Sequence, residues 1–248
     1  MRKNFSFSFI LFSIVVLLAH KAFSQVNLDI ETGVVFSGYN DVRIPGYGGT
    51  LFSLSEELEA NPGVFYRVQV FYNFNDRHHL GALYAPLSIN STGQLDSDLI
   101  FEGETFPAST PLEATYIFNS YRLIYRYDFL RKEKIEIGVG FTAKIRDAKV
   151  AVKGDSLESE KTNVGFVPII HFRLLWKFSK KFAFLLDGDA LAAPQGRAED
   201  VLAALIFRAS DKIDLKAGYR ILEGGADNDE VYNFALINYA SFGAIFHF

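Results

Sequence analysis

The sequence predicts an all-β fold, a closed antiparallel transmembrane β-barrel of about ten strands, with eight and twelve as the alternatives. Three observations predict it. First, the tail alternates: every second residue from Tyr232 to Phe248 is apolar or small except Asn238, and the intervening set carries Asn233, Tyr239, Ser241, Gly243 and His247. That is a period-two strand with one greasy face. Second, aromatics make up 15% of the chain, yet after the first 24 residues no apolar run approaches the ~18 residues of a spanning helix. A wall of strands resolves the conflict, because strands satisfy all their backbone polar groups in lipid when the sheet closes on itself. Third, the connections between alternating segments are short and long in turn.

Taken in order, residues 1–24 read as a signal peptide and 25–248 as a single barrel domain. Arg2 and Lys3 supply the positive start, Phe5 to Ala19 the apolar stretch, and Ala22-Phe23-Ser24 the small-x-small cleavage pattern. There is no Cys, so no lipid-modified cysteine, disulfide or thiolate metal site is available. A net charge of −4 argues against nucleic acid as a partner. Ten alternating segments follow, at 26–39, 62–75, 78–91, 114–129, 134–150, 164–178, 182–193, 198–209, 212–222 and 231–248. Short links fall at 75–78, 130–133, 179–181 and 210–211. Long ones fall at 40–61, 92–113, 151–163 and 223–230, with a briefer one at 194–197. The eight-strand count treats two segments as loop extensions; the twelve-strand count adds 98–105 to the wall.

The alternation also assigns faces. Phe166, Pro168, Ile170, Phe172, Leu174, Trp176 and Phe178 share one face against His171, Arg173 and Lys177 on the other. Tyr121, Leu123, Tyr125, Tyr127 and Phe129 oppose Arg122, Arg126 and Asp128, and Ile213, Leu215, Ala217, Tyr219 and Ile221 oppose Asp214, Lys216 and Arg220. Leu28, Ile30, Val34 and Phe36 oppose Asp29, Glu31 and Ser37. The third and eighth segments are ambiguous by this test. The apolar faces are so aromatic, and the opposite ones so charged, that the expected arrangement is apolar to lipid and charge to the lumen. Pro86 and Pro168 fall inside segments, where only a local bulge is expected.

The inward charges are then Asp29, Glu31, Asp128, Glu136, Asp187, Asp189 and Asp214 against Arg67, Arg122, Arg126, Lys144, Arg146, Arg173, Lys177, Lys216 and Arg220. About ten strands leave little room inside, and buried charge is costly unless paired. A salt-bridged lumen without a continuous pore is the expectation; a narrow channel favouring anions is the alternative. The turn at 179–181 sets His171 beside Asp187 or Asp189. That pair reads either as a pH-responsive gate or catalytic dyad, or as one more strut in the lumen.

The leader, the strand-and-turn repeat and the terminal Phe248 together resemble bacterial outer-membrane β-barrel proteins, the small OmpA/OmpX/OmpW-like superfamily, over the whole of 25–248. The resemblance implies short turns in the periplasm, longer loops outside the cell, outer-membrane lipids as surroundings, and recognition of Phe248 by the barrel-assembly machinery. It does not imply one function. Members similar to lipid A deacylases carry a His and a Ser two apart on a lipid-facing strand, and this chain has no His-x-Ser. The expectation is a non-enzymatic, porin-like or structural barrel without a cofactor. The alternatives are a lipid-modifying hydrolase or acyltransferase, and a receptor or adhesin acting through 40–61 and 92–113.

Loop 40–61 holds a glycine-rich turn and a Ser53/Glu56 spacing that predicts a short capped helix, placed as a lid. The last long loop crowds Asp227, Asp229 and Glu230, a weak Ca²⁺ candidate without the EF-hand spacing. The preferred reading joins Arg43, Arg197, Glu199, Asp227, Asp229 and Glu230 as ion pairs around an extracellular rim, with Asp200, Arg146 and Arg220 as further members.

Overall fold

The computed structural model describes residues 25–194 and 196–248; the proposed leader and Gln195 lie outside the described residues. The described residues contain no helix. In chain order the strands are β1 (Val26–Arg43), β2 (Phe52–Ser53), β3 (Leu58–Ala60), β4 (Gly63–Asn73), β5 (His78–Ala85), β6 (Ser88–Gly93), β7 (Leu99–Phe101), β8 (Glu104–Phe106), β9 (Leu112–Arg131), β10 (Ile135–Lys153), β11 (Glu158–Trp176), β12 (Phe182–Ala193), β13 (Gly196–Arg208), β14 (Ile213–Asp227) and β15 (Tyr232–His247).

The wall is a closed antiparallel barrel of ten strands. β3 and β4 are one wall strand broken at Pro62, and β5 and β6 another broken at Pro86. A proline has no N–H to give a ladder, so each break falls where the donor is missing. β1 pairs with β15 from Asn27↔His247 to Arg43↔Tyr232, with a bulge between Ser37 and Tyr39, and this seam closes the sheet. All ten predicted segments are wall strands.

The stretch that would have made twelve strands stays out of the wall. β7 and β8 form a separate two-stranded hairpin. Its turn, Glu102-Gly103, has φ of 49° and 84°, the pair of positive values that a tight two-residue hairpin turn requires. The helix expected after Ser53 is absent as well. Glu56 N–H does bond Ser53 Oγ (3.3 Å), and Ser53 N–H bonds Glu57 Oε2 (2.8 Å). The single turn cannot propagate, because Leu54 and Leu58 are both drawn into the interior and the chain continues as β3.

Outside, the wall presents Ile30, Phe36, Tyr66, Leu123, Phe141, Phe166, Leu215 and Phe242 as exposed side chains. Tyr125, Tyr127, Phe129, Trp176, Phe178 and Phe182 crowd the short-turn end as an aromatic girdle. Inside, Glu31, Arg67, Arg122, Lys144, His171, Asp200 and Arg220 are buried. A water-soluble barrel has the reverse distribution, so the medium around this wall is hydrocarbon.

The interior is not polar throughout, and this corrects the simple inside-out pattern. At the long-loop end, Ile44, Phe52, Leu54 and Leu58 from the first loop meet Leu95, Leu99, Phe101 and Phe106 from the second in one apolar cluster. Phe52 and Phe101 pack edge to face at 6.3 Å. The cluster sits on an apolar floor of inward side chains, including Phe65, Tyr116, Ile237 and Tyr239, with Phe65 and Tyr239 edge to face at 4.8 Å. Loops that must leave water need an apolar surface to leave it for, and the outer third of the lumen supplies one.

Candidate functional site

At mid-height the lumen is crossed by one connected ionic belt. Asp200 (β13) is its hub, accepting from Arg67 of β4 at 3.0 Å, Arg122 of β9 and Arg220 of β14. Arg220 also grips Glu31 of β1 with Nε at 2.8 Å and Nη2 at 3.0 Å, and Lys216 bonds both Glu31 (2.8 Å) and Asp29. On the other side Arg122 reaches Asp189 of β12 at 2.6 Å. Asp189 further accepts from Thr142 of β10 (2.6 Å) and from His171 Nδ1 of β11 (3.0 Å). Four acids thus meet four bases: Asp29, Glu31, Asp189 and Asp200 against Arg67, Arg122, Lys216 and Arg220. The register explains the meeting, since His171, Asp189 and Asp200 are direct cross-strand partners along β11–β12–β13.

Below the belt a vestibule of about 1030 Å³ opens at the short-turn end. Arg126, Asp128 and His79 form a second cluster there, with Asp128 accepting from Arg126 Nε (2.8 Å) and from His79 Nε2 (2.8 Å). Arg173 pairs with Asp187 (3.1 Å), Lys177 with Glu136, and Asp214 with His247 (3.0 Å). The vestibule reaches the belt at Asp29.

Above the belt is a second cavity, of about 420 Å³, and it is mostly apolar. Phe118, Val167, Leu191, Leu222 and Ile237 line it, with Lys144 and Arg146 of β10. It lies where the wall is incomplete. β11 and β12 pair only from Trp176↔Phe184 up to Ile170↔Ala190. Beyond that, β11 runs on to Glu158 against β10 alone, while β12 turns back into β13. Pro168 stands two residues past the last pair. Lys177 N–H bonds Lys134 O, which fixes the alternation of the β10–β11 ladder and puts the nitrogen of Pro168 on the β12 side. The missing donor therefore faces the gap.

No protein-family model matches the chain, and no curated protein matches it in sequence. Solved structures do match in shape. The outer membrane protease OmpT from Escherichia coli aligns with a TM-score of 0.56 at 9% identity, over 90% of this chain and 96% of that one. It has the fold of the small outer-membrane β-barrels. The translocator domain of the autotransporter NalP from Neisseria meningitidis aligns at TM-score 0.42 and 10% identity, over 97% and 98% of the two chains. Ail, the attachment invasion locus protein of Yersinia pestis, aligns at 0.39 and 13%, over 90% and 99%. At 9% identity the likeness to OmpT is one of fold.

In this outer-membrane-type barrel the remaining sequence-predicted residues fall into separate places. Arg43 approaches Asp227 at 4.0 Å, and Arg197 grips Glu223 at 2.7 Å. Arg197 also lies over Phe234, 4.9 Å from the ring centroid. Glu199, Asp229 and Glu230 make no ion pair among the described residues, so the rim is two isolated pairs and not a network. Asp200 and Arg220, grouped with that rim on sequence grounds, sit in the belt. Arg146 bonds Asn163 beside the upper cavity. Asp227, Asp229 and Glu230 do not converge, and the described residues hold no group of three or more acids or histidines spaced for a metal. The four described histidines bond Tyr125, Asn73, Asp128, Asp189, Asn27 and Asp214; none meets a Ser or Thr hydroxyl among the described residues.

Proposed function

We propose that this chain resides in the bacterial outer membrane as a non-enzymatic barrel, closed along its axis, with a structural or cell-surface role. One observation carries the reading: three arginines converge on Asp200 across the lumen, between the lower vestibule and a loop cap packed on an apolar floor. Ions crossing would have to break buried pairs, each costing several kcal/mol. The surrounding lipids and, through Phe248, the assembly machinery are its natural partners in this reading. The test is planar-bilayer conductance of the refolded protein. The expected record shows no steps above leak for wild type; a steady wild-type current would overturn the closed-barrel reading. Incubation with lipid A and phospholipids, read by mass spectrometry, should give no product, and product lost on changing His171 would overturn the non-enzymatic part.

A further inference from the structure

The upper cavity joins three features that the closed-barrel reading does not use. The first is a buried cation without a counter-ion. Lys144 is only 2% exposed and lines the cavity, yet among the described residues its ammonium has no carboxylate partner. It lies instead over the Phe118 ring, 4.6 Å from the centroid, a cation–π contact. Every other buried base at this level is tied into the belt. Two residues along the same face of β10 comes Arg146, which bonds only Asn163 and leaves its buried Nε unpartnered. Side chains two apart on a strand are separated by about 7 Å, a span that one anionic headgroup can bridge. A buried unpaired ammonium is costly, and an anion delivered to it would relieve that cost.

The second feature is the lining. Phe118, Val167, Leu191, Leu222 and Ile237 make most of the wall around the two cations apolar; the other charged groups on the lining are Lys149, Lys161, Arg197 and Glu223, all held in ion pairs, and Glu230. The volume of about 420 Å³ is that of a site for one small ligand, not for a lipid with several chains. The third is the opening. The gap above Ile170↔Ala190 lies beside Phe166 and Val164, which are exposed on the lipid face of β11. Unpaired backbone at membrane depth is tolerated where it lines a cavity, and Pro168 withholds a donor at that edge.

We propose that this cavity binds a long-chain carboxylate that enters sideways from the membrane between β11 and β12. Its headgroup lies between Lys144 and Arg146, and its alkyl chain runs past Val167 and Leu191 toward the lipid. A charged head explains the two free cations, and an alkyl tail explains the apolar walls and the lateral door.

The full chain, reconstituted in phosphatidylcholine nanodiscs, would be photolabelled with palmitate carrying a terminal diazirine, and the labelled peptides read by mass spectrometry. Label is expected on segments around Val167 and Leu191, competed by unlabelled palmitate and not by hexadecanol. In Lys144→Met the concentration for half-maximal labelling should rise about tenfold or more, the value of one charge-assisted hydrogen bond. Leu191→Trp, which fills the cavity and leaves both cations in place, should abolish the same label. Heat-modifiable mobility on gels shows that each variant is a folded barrel, and Lys144→Gln replaces Lys144→Met if the latter is not. Label confined to lipid-facing side chains such as Leu123 and Leu205, or unchanged in both variants, would overturn the site. Equal labelling by a diazirine-bearing phosphatidylcholine would overturn the carboxylate assignment and mark a groove for bilayer chains. None of these outcomes bears on conductance, so the closed-barrel reading stands or falls separately.

Discussion

Replacing Asp200 by Asn tests whether the belt is a dry, mutually dependent network. The carboxylate holds three guanidiniums, from Arg67, Arg122 and Arg220. Arg122 would keep Asp189 and Arg220 would keep Glu31, but Arg67 would lose its one ion-pair partner among the described residues. The connected set would change from four acids and four bases to three and four, placing one uncompensated positive charge in the lumen. Breaking a buried pair by removing one partner costs about 3–5 kcal/mol, and the amide still accepts one hydrogen bond, so about 3 kcal/mol is expected. The assay is urea unfolding of the refolded barrel in lipid vesicles. The single tryptophan, Trp176, reports on it from the lipid face. The D200N midpoint should fall accordingly, and Arg67→Met combined with D200N should recover part of the loss, because the stranded charge goes with its partner. A D200N barrel within about 0.5 kcal/mol of wild type, or a double variant no better than D200N, would refute the reasoning. Water would then be solvating these charges, and the lumen would be open to it.

Three further outcomes follow from the packing. Phe101→Ala empties a fully buried position in the loop cap. It should release the second loop to protease on intact cells while leaving the Trp176 unfolding midpoint nearly unchanged, since the cap is not part of the ladder. Glu223→Gln removes the partner of a half-exposed Arg197, and stability in the same urea assay should move by less than about 0.5 kcal/mol. Gly33 has φ of +146°, and a Cβ there would meet the Ala240 carbonyl oxygen at 2.0 Å, at the closing β1–β15 seam. Gly33→Ala should therefore lower the folded fraction on heat-modifiability gels, whereas Gly63→Ala, whose added Cβ comes no nearer than 3.5 Å to the Val35 side chain, should not.

Wall strands and their outer faces were legible because a membrane barrel writes its lipid face in aromatic residues at period two. β9 and β11 read out almost residue by residue, from Tyr121 to Phe129 and from Phe166 to Trp176. Where that contrast weakens, sequence reasoning failed. Asp200 shares its face with Leu202, Ala204 and Ile206, so β13 shows grease on both sides and gives no parity signal. Proximity along the chain to Arg197 then suggested the rim. The loop cap was illegible for a different reason. Ile44, Phe52, Leu54, Leu95, Leu99 and Phe106 have no common period, and their cluster exists only once the barrel brings two loops over one mouth. The gap was half legible. Pro168 was visible as an anomaly in a strand, but which neighbour it deprives depends on the ladder's alternation, and that requires the register with β10.

The belt and the gap answer each other. A barrel of ten strands that fills its axis with paired charge has given up the route along the axis, and the loop cap closes what is left of it. Yet the same wall is left unpaired over the upper part of β11, at the height where two cations lack counter-ions. If the interior served only to hold the strands together, the cheapest arrangement would carry the β11–β12 ladder upward and put an acid beside Lys144, as Asp189 stands beside Arg122 one level below. Neither is done. The incomplete ladder and the unpaired cations lie on the same side of the barrel, and a single charged, chain-bearing ligand entering from the side accounts for both at once.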